Sequence, residues 1–283
     1  MEQANIRYAN EQDIDGLVSV WKQVFGDEEA YIRGFLQNIS ISEQVLCYED
    51  PLSEGVVAML YLLPCDIVEQ TNEIRNQHAG YLYALATLEE YRGAGIMGEM
   101  IRIAIHDGEK KGMKTFFLIP AEENLFQYYD RFDFAEHLYP QTAVSVYSEK
   151  TELSNLQLRA CTAEDLCCLL KRNDWNITNR NVIFEKALEE FYVADFLQME
   201  QAFAYECLAD GESIGFVMGM MEGGRIEIFF YAFQKICWGQ LMELIKEKTA
   251  PTANVRVCGR ENRHLVAVRE KGKREWLNGL IPV

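Results

Sequence analysis

Tyr83-Ala-Leu-Ala-Thr-Leu-Glu-Glu-Tyr-Arg-Gly-Ala-Gly-Ile-Met-Gly98 reads as a buried strand, a short glycine-rich loop and the start of a helix. Arg92, Gly93 and Gly95 fall where strand gives way to helix. Small residues there let backbone N–H groups crowd around an anion, and the helix N-terminus adds its partial positive charge. Such an arrangement suits a pyrophosphate. A Walker loop is excluded, because no Gly-Lys-Ser/Thr follows the glycines. Gly93-Ala-Gly95-Ile-Met-Gly98 fits the dinucleotide string Gly-x-Gly-x-x-Gly literally. That string, however, opens a parallel βαβ unit whose next strand closes on an acidic residue. Here hairpin-connected strands precede the loop, and the next strand ends in Ile119-Pro120.

Outward from the loop, the first half opens with a strand at Ile6–Tyr8. A helix follows, with Ile14, Leu17, Val18, Trp21 and Phe25 at helical spacing behind Asp13. Gln44–Tyr48 and Val56–Leu63 read as strands, and a polar stretch, Glu69–Gln77, leads to the strand Gly80–Ala86. The helix from Ala94 puts Met97, Met100, Ile101, Ala104 and Ile105 on one face, and Lys110, Lys111 and Gly112 form its closing signal. Thr115–Ile119 is expected as a strand and Asn124–Tyr129 as the start of another helix.

The second half begins again in the same way. Leu158-Arg-Ala-Cys-Thr-Ala-Glu-Asp165 echoes Ile6-Arg-Tyr-Ala-Asn-Glu-Gln-Asp13 at a constant offset of 152. A helix, a hairpin around Asp210-Gly211 (Ala202–Leu208 with Ile214–Met220), the strand Ile226–Tyr231, the helix Gln234–Lys246 and the strand Asn254–Cys258 follow. One pattern therefore occurs twice, which predicts a tandem repeat of one fold divided near residues 148–155. After Tyr231 the second copy carries no Arg-Gly-x-Gly, so it lacks the anion loop and is expected to shape the substrate cleft.

Bulk properties narrow the partners. The net charge is −17, from 27 Lys plus Arg against 44 Asp plus Glu, which repels nucleic acid and anionic membrane and favours a cationic acceptor. The eight cysteines form no Cys-x-x-Cys pair and sit mostly among apolar neighbours, so reduced thiols in a cytoplasmic protein are expected, with no zinc site. The opening Met-Glu-Gln-Ala-Asn lacks the basic and apolar regions of a signal peptide, and no apolar run is long enough for a membrane span.

Leu85-Ala-Thr87 followed by Glu90-Tyr-Arg-Gly-Ala-Gly-Ile96 resembles the acetyl-CoA-binding core of the GNAT superfamily of N-acetyltransferases, Arg/Gln-x-x-Gly-x-Gly/Ala. Arg92, Gly95 and Met97 fill its places. Met97 departs from the usual Gly or Ala, and Glu89 stands where Pro is common. Leu125-Phe-Gln-Tyr-Tyr-Asp-Arg-Phe-Asp-Phe134 resembles the superfamily's Tyr-x-x-x-Gly-Phe ending, with Tyr129 as the tyrosine and Asp133 in place of Gly. Ile6-Arg-x-Ala, Asp13 and Trp21…Phe25-Gly-Asp27 fit as well, so the resemblance covers about residues 5–140. The tandem arrangement is most similar to the first two domains of the Eis-like aminoglycoside acetyltransferases, with the chain too short for their third domain.

The resemblance implies an α/β (α+β) protein of two tandem GNAT-like domains, each a mixed, mostly antiparallel sheet flanked by helices, the second degenerate. Residues 1–150 would bind acetyl-CoA and 151–283 would wall the acceptor cleft. It implies a pantetheine arm inserted between splayed strands beside Leu85, Ala86 and Thr87. The pyrophosphate would sit on Arg92, Gly93, Ala94, Gly95, Ile96, Met97 and Gly98, with an oxyanion held by a strand N–H near Leu85 or Ala86. Tyr129 would be the general acid for the leaving thiolate, in direct transfer to a primary amine such as an aminoglycoside, a polyamine or a lysine side chain. For the general base, Glu122, Glu123, Glu227 inside an apolar strand, the Val283 carboxylate and a water chain all stay open. Two rival functions are an acyl-CoA-binding sensor without catalysis and a tRNA-dependent aminoacyl transferase, the second opposed by the charge.

Overall fold

A computed structural model describes residues 5–52, 55–70, 74–122, 124–134, 136–138, 153–172, 180–234, 237–249, 252, 254–257, 266–270 and 277–278. The first half contains β1 (Ile6–Tyr8), α1 (Ile14–Phe25), α2 (Glu29–Gln37), α3 (Ile41–Gln44), β2 (Val45–Asp50) and β3 (Gly55–Gln70). β4 (Ile74–Thr87), α4 (Ile96–Lys110), β5 (Thr115–Leu118), α5 (Leu125–Asp130) and β6 (Glu136–Leu138) follow. The second half contains β7 (Gln157–Ala160), α6 (Ala163–Leu170), β8 (Arg180–Phe184), α7 (Lys186–Gln198), β9 (Ala202–Ala209), β10 (Glu212–Glu222) and β11 (Arg225–Phe233). It ends with α8 (Trp238–Lys248), β12 (Asn254–Val257), β13 (Val266–Glu270) and β14 (Leu277–Asn278).

Two sheets organise these elements. One runs β1-β2-β3-β4-β5-β13-β6, antiparallel throughout except for the parallel β4–β5 pair. The other runs β7-β9-β10-β11-β12, again antiparallel except for the last pair. The first five strands of the longer sheet and the five strands of the shorter one thus share an antiparallel run that ends in one parallel pair. Each sheet also opens on the same polar device. Arg7 of β1 reaches Asp13 at 2.7 Å and Glu49 at 2.8 Å, while Arg159 of β7 reaches Glu206 and Asp165. Asp13 and Asp165 are each also the acidic partner of a capping box, with Asn10 and Thr162 respectively.

The first sheet carries a different core on each face. Alternation along β3 and β4 sends Tyr61, Leu63, Ala79 and Tyr81 to the side covered by α1 and α2, and Leu60, Leu62 and Leu82 to the side covered by α4 and α5. Trp21 of α1, 1% exposed, centres an aromatic cluster with Phe35, Tyr61 and Tyr83 at ring separations of 5.1, 5.2 and 5.7 Å. The fully buried Phe35 contributes about 1.5–3 kcal/mol by this packing. α1 stops at Gly26, whose φ of 82° lets its N–H close on the Lys22 carbonyl at 3.0 Å.

Three features go beyond the pattern read from sequence. The polar segment expected to lead into β4 instead extends the β3–β4 hairpin, with Glu69 opposite Arg75 and Gln70 opposite Ile74. Backbone ladder bonds are indifferent to side-chain polarity, and β8 secures the same stretch by pairing Cys65–Glu69 antiparallel. Second, α2, α7 and β8 appear where no separate element was expected. Third, β13 lies between β5 and β6, so the far end of the chain completes the first sheet. The expected division near residues 148–155 falls largely outside the described residues, as does Cys258.

Candidate active site

The parallel β4–β5 ladder covers only Ala79–Tyr81 against Thr115–Phe117. β4 continues to Thr87 while β5 ends at Leu118, so the strands part and leave the β5-facing edge of Leu82–Thr87 without a ladder partner among the described residues. Within this stretch the register with β3 shifts: Tyr83 faces Tyr61 and Ala86 faces Met59, so Ala84 and Leu85 together oppose Leu60. This is a β-bulge, and Ala84 takes a φ of 48° that L-residues other than Asn and Asp seldom adopt. Bulges re-aim the backbone beside active sites, where such strain persists only if its surroundings enforce it.

Leu85, Ala86 and Thr87 lie at the end of β4 beside that opening. Thr87 Oγ1 is buried with no hydrogen-bond partner, an uncommon state for a native hydroxyl. Arg92, Gly93, Ala94 and Gly95 form the bend into α4. Gly93 and Gly95 have φ of 78° and 81°, and a Cβ on Gly93 would meet open space. Gly95 caps α4 without a side-chain cap hydrogen bond, which leaves the first-turn amides of Ile96, Met97 and Gly98 without a capping acceptor among the described residues and suited to an anion. Arg92 Nε donates to the Thr87 carbonyl at 3.0 Å and ties the bend to the strand. Met97 packs against the α4 core rather than narrowing the loop, and Gly98 meets Phe132, where a Cβ would come within 3.3 Å. Asp133, in the expected Gly place, adopts a φ of 65°, a conformation Asp tolerates.

A cavity of about 310 Å³ occupies the opening, bounded by Tyr81–Leu85 on one side and Ile119–Ala121, Leu125 and Tyr129 on the other. Trp21, Phe25 and Asp27 close its α1 end. Tyr129, 8% exposed, lies edge-on to Tyr128 at 5.2 Å, and burial pushes its phenol well above the ordinary value of 10.0. The same desolvation lifts Tyr83 to about 12. Both therefore keep their protons at neutral pH. Asp27 is the one charged residue among the described residues lining the cavity, and its Oδ2 accepts from Trp21 Nε1 at 2.7 Å. Asp27 was not among the base candidates from sequence, although it stands in the Trp21…Phe25-Gly-Asp27 string. Of those candidates, Glu122 is exposed and accepts from Asn124 at 3.1 Å, next to the cavity residue Ala121. Glu227 sits on β11 of the other sheet and does not line the cavity. Glu123 and Val283 lie outside the described residues.

Residues 5–136 match the family model described as an acetyltransferase (GNAT) domain. Over those residues the chain is similar to an acetyltransferase domain of the GNAT type. Similar solved structures share its fold along nearly the whole chain. A GCN5-related N-acetyltransferase from Kribbella flavida is 17% identical, with a TM-score of 0.63, over 93% of this chain and 69% of that one. One from Anabaena variabilis is 15% identical, with a TM-score of 0.66, over 93% and 71%. Eis1 from Mycobacterium abscessus is 12% identical, with a TM-score of 0.64, over 96% and 72%. At these identities the likeness speaks for the mixed α/β fold. No curated protein matches the sequence significantly. Among the described residues, no helix is long and apolar enough to cross a membrane.

Proposed function

We propose that this protein is an N-acetyltransferase that moves an acetyl group from acetyl-CoA to a primary amine. The observation that carries the reading is the gap between β4 and β5. It has the glycine bend and uncapped N-terminus of α4 at the end of β4, and it opens into a cavity bearing both Tyr129 and Asp27. The pyrophosphate binds the backbone N–H groups of Arg92–Gly98, and the pantetheine arm pairs with the open edge of β4 beside Leu85, Ala86 and Thr87. The orphaned Thr87 hydroxyl supports that fit.

The amine nitrogen attacks the thioester carbonyl. The C–N bond forms while a strand N–H at Leu85 or Ala86, beside the Ala84–Leu85 bulge, stabilises the oxyanion. The C–S bond then breaks, and the Tyr129 hydroxyl gives its proton to the departing sulfur. Before the attack Asp27 pairs with the incoming ammonium and relays one proton to solvent, which frees the nitrogen lone pair; the second proton, shed by nitrogen after the attack, restores the Tyr129 hydroxyl.

In this reading the second half, 151–283, carries a degenerate copy of the fold without an anion loop, built on the sheet β7-β9-β10-β11-β12, which leaves one active site per chain. The shared five-strand run and the parallel Arg7–Asp13–Glu49 and Arg159–Asp165–Glu206 constellations support a duplication. Isothermal titration with acetyl-CoA tests the core of the proposal. Saturable binding is expected, and none at millimolar ligand would refute it.

A further inference from the structure

The acceptor end of the cavity has a distinctive chemistry. The two approaches to the gap lie on opposite faces of the sheet. α4 and its glycine bend cover one face, and the aromatic cluster of α1 covers the other. The α1 end is therefore the side from which the acceptor reaches the thioester. Its walls are the rings of Trp21, Phe25 and Tyr83 together with Ile119 and Pro120. Asp27 supplies the single carboxylate among the described lining, fixed in orientation by the Trp21 indole. Phe25 is 44% exposed at this rim, while Trp21 beside it is buried. At about 310 Å³ the whole space stands at the lower end of ligand pockets, which span roughly 300–1,000 Å³.

These features select against the acceptors that a strongly acidic protein would suggest. A polyamine or an aminoglycoside carries several ammonium groups, and each placed against an apolar wall without a counter-charge costs desolvation free energy. One carboxylate in a lining that also holds Phe25 and Tyr83 instead matches one ammonium, held by the charge and by cation–π attraction. The remaining apolar walls match an apolar body. We propose that the acceptor is a small primary amine with a single positive charge on an aromatic body, an arylalkylamine. This rests on the acetyltransferase reading above.

The test uses the full chain, acetyl-CoA, and free-thiol detection of released CoA across 2-phenylethylamine, tyramine, tryptamine, spermine and kanamycin. At least one arylalkylamine is expected to exceed spermine and kanamycin in kcat/KM by tenfold or more. Phe25→Ala is expected to raise KM for that amine about tenfold while the acetyl-CoA Kd moves less than twofold. Equal or better turnover of spermine or kanamycin overturns the inference, as does an unchanged KM in Phe25→Ala. A flat amine preference combined with faster reaction from hexanoyl-CoA than from acetyl-CoA also overturns it, by assigning the apolar walls to the acyl chain. Acetyl-CoA binding without CoA release to any arylalkylamine sinks this inference alone. Absence of acetyl-CoA binding sinks the reading of the site itself.

Discussion

Tyr129 and Asp13 show how single residues can be tested independently of the substrate's identity. Burial keeps the Tyr129 phenol protonated well past neutrality, so as the proposed acid it has a proton to offer, while the same shift makes it a weak donor to a thiolate whose ordinary pKa is near 8.5. A thiolate is already a fair leaving group. Loss of the acid therefore costs toward the lower end of the usual general-acid range, which is roughly 10²–10⁴-fold. Tyr129→Phe is expected to lower kcat by about tenfold or more, with little change in the acetyl-CoA Kd from calorimetry. The wild-type pH–rate profile should rise as the amine deprotonates and show no decline assignable to Tyr129 below about pH 10. Asp13 is a structural counterpart. Arg7 holds its carboxyl below the ordinary 3.8 through a two-point hydrogen bond, at 2.7 and 2.8 Å, and the Asn10 N–H adds to the effect. A depressed carboxyl contributes stability that is present above its unfolded pKa and lost as pH falls through its folded one. Asp13→Asn should accordingly cost about 1.5–3 kcal/mol at pH 7. That gap should narrow below about pH 4, as read by urea titrations at both pH values; an equal gap at pH 3 would contradict the ion pair's role.

At the scale of elements, α4 has to lie close to the sheet for its N-terminus to meet the end of β4. Gly80 of β4 and Gly108 of α4 make room for the Phe116 ring, which is fully buried. A Cβ at position 108 would come within 2.6 Å of Phe116 Cε1 and 3.0 Å of Met113 Sδ. Both neighbours are buried side chains, so either the ring and Met113 repack or the helix shifts. Gly108→Val should lower stability by about 1–3 kcal/mol despite the better helix propensity of Val over Gly. A helix shift would also weaken acetyl-CoA binding, because the displaced helix carries the anion-binding amides with it. Thermal melts and calorimetry on the same sample separate the two effects; a Tm equal to wild type would show that the packing can relax. The elements themselves were largely legible. Gly93 and Gly95 mark a left-handed bend locally, and Lys110-Lys111-Gly112 marks a helix end that forms as read, with Gly112 at a φ of 89°. What local signals cannot carry is the meeting of distant residues. Asp27 joins Tyr129 at one cavity only because α1 packs across β4, so its place in the site became visible only in three dimensions.

At the scale of the whole molecule, the two sheets share a five-strand run ending in a parallel pair, yet the chain does not divide cleanly between them. β8 pairs with β3 along Cys65–Glu69, and its Val182 and Phe184, with Leu188 of α7, belong to the core beneath α1. β13 hydrogen-bonds β5 from Thr115 to Leu118, the strand that forms the far wall of the catalytic gap. Neither attachment had a sequence signal. A short strand such as Val266–Glu270 reads the same whichever edge it joins, and its register is set by a pairing partner some 150 residues away in the chain. These attachments make the first half dependent on the second. A fragment ending at residue 150 would retain the glycine bend, Tyr129 and Asp27. It would, however, expose the β3 edge at Cys65–Glu69 and the β5 edge at Thr115–Leu118, and uncover part of the α1 core. Unpaired edges beside an open apolar core promote association. The fragment is therefore expected to be aggregation-prone, without a cooperative melt and without acetyl-CoA binding, although every residue assigned to catalysis is present. Size-exclusion chromatography, calorimetric melting and acetyl-CoA titration of the fragment beside the full chain provide the comparison. A monomeric fragment melting within a few degrees of the full chain and binding acetyl-CoA equally well would mean that β8 and β13 merely decorate an autonomous domain.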